Sequence, residues 1–223
     1  MDLNRIHILI ESFRKEVLGA PTWIDGKHTF EYDQQSVVTV VVLKLIRAAQ
    51  GLSTLRLLCR AGLFIDMGSS LRGVNDCVEE VYFLLETYPE RPSAHVERFV
   101  KHFFEGTIDG YLDTTAHQVQ RDKIRSACVR VLKGSHDDAT QKLLERIYMT
   151  FCGYTHAGYA HVMEIYNGGL HSFNLDGVPS EEVRKGWIEH FVIVCNAVLM
   201  AAAFAAQKFG KQEYYEAMMK SVE

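Results

Sequence analysis

The residues of this sequence best equipped for chemistry are an arginine, an aspartate and a histidine: Arg72, Asp76 and His156. Arg72 and Asp76 stand four residues apart in a segment of helical periodicity, so they share one face and a carboxylate can steady the guanidinium. A steadied arginine suits planar, bidentate contact with phosphate or carboxylate. His156 lies in the run CGYTHAGYAH, where Tyr154, Thr155, Tyr159 and His161 supply hydroxyls and a second imidazole for binding a substrate. An imidazole titrates near neutrality and serves as general acid, general base or anion donor. A secondary pairing, Arg184 with His190, has Arg-x5-His spacing, but chance alone supplies such a spacing in a chain this rich in both residues. Each residue also has a plain structural role open to it. Arg72 and Asp76 would then lie on a solvated helix face, and the histidines would be hydrogen-bonded core residues.

Metal chemistry is not expected. On a regular helix His156 and His161 point about 140° apart and cannot chelate one ion. The sequence contains neither His-Glu-x-x-His nor Glu-x-x-His, and it lacks a glycine-rich phosphate loop and a Gly-x-Ser-x-Gly elbow. No cofactor is expected either. Arg121, Lys123, Arg125, Arg130 and Lys133 make one locally basic helix, read as a solvated helix or as a phosphate-contacting surface.

The elements that must position these residues read as helices throughout. The stretch from Asp137 to Tyr166 is apolar on almost every side, which marks a helix buried against several neighbours. It is expected to be the central helix of the fold, with His156 and His161 inside or at the edge of the core. Before it, helices are expected over Asp2 to Leu18, Gln34 to Gln50, Ser53 to Ala61, Phe64 to Thr87, Ser93 to Phe104 and Thr115 to Leu132. After it follow Glu181 to Lys208 and Gln212 to Ser221. Thr22 to Tyr32 reads as a connector with a hairpin-like excursion. The expectation is an all-α bundle of about seven to nine helices, with residues 1–223 forming a single domain.

Composition narrows the class. The 223 residues are 48% hydrophobic and 23% charged, ordinary for a folded globular chain, and a net charge of −4 gives no global pull toward nucleic acid or anionic lipid. Five widely spaced cysteines, each within an apolar pattern, favour free thiols and a cytoplasmic protein. No signal peptide is evident, and the apolar run from Phe191 to Ala206 reads as a core helix, so no membrane association is expected.

The segments SSLRGVNDCVEEVYFLLE and YTHAGYAHVMEIY resemble an uncharacterised bacterial all-helical family that is HEPN-like, with the likeness covering residues 64–166. Arg72 and Asp76 match its Arg-x-x-x-acid helix, with Asp where Glu is commoner. Thr155 and His156 match a later Ser/Thr–His element loosely, since here they are adjacent. The resemblance implies a metal-independent RNA-cleaving toxin or defence effector. Arg72 (or Arg184) would hold the scissile phosphate, and His156 (or His190) would move the proton. The alternative is a non-catalytic helical binding or assembly protein, homodimeric or joined to a partner protein, in which these residues are structural.

Overall fold

The computed structural model describes residues 2–105 and 119–222. Among them it is an all-α bundle with two short hairpins. Helix α1 (Leu3–Leu18) opens when the Asp2 carboxylate accepts the Asn4 N–H, and Gly19 closes it at φ 67°. The connector that follows is the expected excursion: β1 (Thr22–Ile24) pairs antiparallel with β2 (Thr29–Glu31), and Trp23 lies opposite Phe30.

Helix α2 (Val37–Ala61) is one continuous element, where two were expected. The Ser36 hydroxyl caps it and Gly62, left-handed at φ 73°, ends it. Its valines are helical despite their strand preference because Val40, Val41 and Val42 are fully buried, and tertiary burial outweighs propensity. Gly51, which falls between the two expected helices, is where α3 (Phe64–Leu85) packs closely: a Cβ there would overlap the Val74 side chain.

Helix α4 (Ala94–Glu105) follows, with the Ser93 hydroxyl accepting the Val96 N–H at 3.3 Å. Next come α5 (Arg121–Lys133), α6 (Asp138–Thr155), α7 (Tyr159–Met163), the hairpin of β3 (Tyr166–Asn167) and β4 (Ser172–Phe173), α8 (Glu181–Lys208) and α9 (Gln212–Met219). The Gly106–Gly110 connector and the start of the helix expected from Thr115 lie outside the described residues.

The centre of the bundle is α3, packed by α2, α5, α6 and α8. Leu71, Val74, Cys77, Val78, Val81, Tyr82, Leu84 and Leu85 form its apolar face and all are buried. The segment from Asp137 to Tyr166 is therefore not the central helix. Only Tyr154 of α6 is buried, while Leu143, Ile147 and Met149 are exposed. The helix also stops early. Ala157 is left-handed at φ 51°, the Gly158 N–H returns to the Gly153 carbonyl at 2.8 Å, and α7 folds back. Gly153 makes this return possible, because a Cβ there would overlap the His161 imidazole.

By length and hydropathy alone, α2 and α8 could each cross a membrane. In this fold half of the apolar window of α2 and 44% of that of α8 are buried inside the protein.

A candidate ligand pocket and a polar cleft on either side of α3

Two concavities flank the central helix. The first, about 820 Å³, lies between α3, α5, α6 and α8 and is mainly apolar. Leu71 and Val78 of α3, Leu144 and Phe151 of α6, and Trp187 and Val194 of α8 are among its walls. One end is an aromatic cluster. Trp187 stacks on Phe64 with centroids 5.6 Å apart and meets the Tyr154 ring edge-on at 5.6 Å. The Tyr154 ring lies flat over Gly68, where a Cβ would overlap it, and His161 closes the other side at 4.2 Å.

Polar groups enter this pocket at few places. The Tyr154 hydroxyl donates to the Glu164 carboxylate, at 3.0 Å to Oε1 and 2.9 Å to Oε2. Burial and this acceptor push the Tyr154 hydroxyl pKa upward, so the phenol stays protonated. Asn75, Glu79 and the exposed His190 also line the pocket. Among the described residues no lysine or arginine does.

The second concavity, about 770 Å³, is polar and is lined by Lys44, Arg72, Asp76, Glu80, His102, Arg121 and Tyr148 with Phe99 and Phe103. Arg72 is steadied here by the expected Asp76 ion pair and, more closely, by Tyr148. Its Nη2 donates to the Tyr148 hydroxyl at 2.9 Å and its guanidinium lies over that ring at 4.9 Å, while Asp76 is 3.9 Å from its Nε. Asp76 belongs chiefly to Arg121. The Arg121 guanidinium donates to Asp76 at 2.6 Å, to Glu79 at 2.9 Å and to Glu80 at 2.9 Å. Lys44 neutralises the other Glu80 oxygen at 2.6 Å.

This network corrects the reading of α3 as carrying a solvated polar face. Glu79 is 8% exposed and Glu80 9%, and burial holds the Glu79 carboxyl above its usual range despite Arg121. It also corrects the solvated-helix reading of α5. Arg121 and Arg125 turn inward, and Arg125 is 2% exposed with its guanidinium 4.9 Å above the Tyr148 ring. Two of its nitrogens have no hydrogen-bond partner, and the face of the ring is their compensation. Lys123, Arg130 and Lys133 are exposed, with Arg130 paired to Glu86.

The other sequence candidates are dispersed. His156 is exposed at the C-terminal cap of α6, not in the core, and Thr155 and Tyr159 are exposed beside it. His161 is half-buried in the aromatic cluster, and its Nδ1 is buried without a partner. Glu164, three residues further on, accepts from the Tyr154 hydroxyl. Arg184 is ion-paired with Glu181, and among the described residues it lines neither concavity, whereas His190 lines the apolar pocket 6.0 Å from the Trp187 ring. The structure thus joins Arg72 with Asp76, and Tyr154 with His161, but keeps the two sets in different places. Among the described residues no three His, Cys, Asp or Glu side chains converge in a way that could hold a metal ion.

Sequence reasoning missed Tyr148 and Trp187, which organise the two concavities. Both sit in apolar stripes, where an aromatic residue reads as core filling. The chain matches no known family model, no characterised protein and no solved structure.

Proposed function

We propose that this chain is a non-catalytic helical binding protein whose apolar pocket receives a small organic ligand. The observation that carries the reading is the pocket's uncovered lining: Leu132, Ile147, Val183, Ile193 and Met200 line it and stay 37–61% exposed. Contiguous apolar surface of this kind is costly in water and marks a place where something binds. A volume of about 820 Å³ falls in the range of small-molecule sites, and a few convergent polar groups at one end give such a site orientation. The five free cysteines support a cytoplasmic home.

The test is to fill the pocket. Ala197 lines it and is half-buried, so Ala197→Phe occupies space without removing a core contact. Binding of the neutral fluorophore N-phenyl-1-naphthylamine should weaken at least ~10-fold, the effect of displacing a well-buried ring. Unchanged binding by a folded Ala197→Phe protein would put the ligand elsewhere.

A second reading, metal-independent RNA cleavage, draws on the polar cleft. Arg72 and His102 line one cavity there together with Phe99, Phe103 and Tyr148, a mixture suited to phosphate, proton transfer and base stacking. On this reading His102 takes the part first given to His156. Cleavage of mixed RNAs in EDTA, lost in both Arg72→Ala and His102→Ala, is its expected signature, and intact RNA at high protein concentration rejects it.

A further inference from the structure

The charge around the apolar pocket says more about its ligand than its shape does. Two carboxylates, Glu79 and Glu164, line it, and among the described residues no lysine or arginine does. Glu79 is already served by Arg121, on the side of α3 that faces the polar cleft. Glu164 differs: among the described residues its partner is the neutral Tyr154 hydroxyl, which bonds both oxygens and fixes the carboxylate without neutralising it. A fixed, uncompensated negative charge at the edge of a low-dielectric pocket attracts a positive ligand more strongly than the same charge in open water.

The aromatic walls point the same way. Tyr82, Phe151, Tyr154 and Trp187 all line the pocket. Aromatic faces carry a negative quadrupole, and walls of this kind accommodate poorly hydrated organic cations. An anionic ligand would meet the Glu164 carboxylate and, among the described residues, no lining lysine or arginine. A strongly hydrated small cation would gain nothing from the apolar walls and would lose its water.

We propose that the pocket between α3, α5, α6 and α8 binds a lipophilic organic cation, with an apolar body against Leu71, Phe151 and Val194 and its charge held near Glu164 and the Tyr154–Trp187 cluster. This rests on the binding-pocket reading above and adds the chemical class of the ligand to it.

The experiment uses two ions of nearly equal size and shape and opposite charge, tetraphenylphosphonium and tetraphenylborate, with neutral N-phenyl-1-naphthylamine as the third probe. Trp187 lines the pocket and reports binding by its fluorescence once the exposed Trp23 is replaced by Phe. Tetraphenylphosphonium should bind at least ~10-fold tighter than tetraphenylborate, as a carboxylate at close range favours one sign and repels the other. Glu164 is exposed, so Glu164→Gln should fold normally, which circular dichroism checks. That change should weaken the phosphonium roughly fivefold more than it weakens the neutral probe, the scale of a partly exposed ion pair.

Equal or tighter binding of the borate, or a phosphonium affinity indifferent to Glu164→Gln, overturns the cation assignment while neutral-probe binding upholds the pocket. Failure of all three probes overturns the pocket itself. Sedimentation equilibrium then asks whether a second copy of the chain covers the groove, which would make it an assembly surface instead.

Discussion

Arg121 is the residue whose removal should cost most for its size. Its guanidinium bonds Asp76, Glu79 and Glu80, whose side chains are 28%, 10% and 12% exposed. Arg121→Met keeps most of the volume and deletes the charge. Glu80 retains Lys44 at 2.6 Å, and Arg72 is 3.9 Å from Asp76, but Glu79 is left buried without a direct cation. Removing one partner from a buried pair costs about 3–5 kcal/mol, against a total stability of about 5–15 kcal/mol. With a urea slope of roughly 2 kcal/mol/M, the denaturation midpoint should fall by ~1.5–2.5 M.

The sign of the pH dependence follows from Glu79. Burial, the largest influence on it, holds its native pKa above the unfolded value even with Arg121 present. A carboxyl raised on folding stabilises the native state below its unfolded pKa and loses that contribution as pH rises through the native one. Deleting Arg121 raises the native value further. The deficit of Arg121→Met should therefore be small at pH 5 and large at pH 8, and Glu79→Gln in the same background should relieve most of it at pH 8. Urea denaturation followed by circular dichroism at the two pH values measures all three quantities. A deficit below about 1 kcal/mol, one equal at both pH values, or one untouched by Glu79→Gln would refute the assignment of Arg121 as the counter-charge of the α3 carboxylates.

Two further outcomes are expected. Gly68→Ala drives a methyl into the Tyr154 ring and should cost about 1–3 kcal/mol by overpacking, lowering the melting temperature by roughly 3–10 °C and weakening N-phenyl-1-naphthylamine binding as the ring shifts, both read from melting and titration curves. Burial pushes the thiols of Cys77 and Cys128 up to about 11 and about 12, so iodoacetamide at pH 8 should leave both unmodified in the native protein while half-buried Cys152 reacts first, as peptide mass mapping would reveal.

The local elements of this protein were legible in its residues because their signals lie within a turn or two of each other. Helices α8 and α6 begin close to their expected starts, Ser180 and Asp137 each accepting a backbone N–H three residues on. The apolar face of α3 and the hairpin at Thr22–Glu31 follow from the same short-range patterns. What a pattern of apolar residues cannot carry is the reason they are apolar. Residues 137–166 read as the bundle's centre because a helix apolar on all sides is usually buried. Here one side packs on α3, another forms the wall of an open pocket, and the last turns fold back over Gly153, so the same composition serves a surface helix.

The pairing of charges was only partly within reach. Arg72 and Asp76 are one turn apart, and sequence spacing joins them. Arg121, 45 positions from Asp76, takes the carboxylate when α5 packs on α3, and Tyr148 takes Arg72 when α6 does. The sequence by itself determined which segments are helical and where most of them start. Tertiary packing decided which helix is central, which charges meet, and that Tyr154 and Arg72 face different cavities, because those outcomes depend on contacts between segments far apart in the chain.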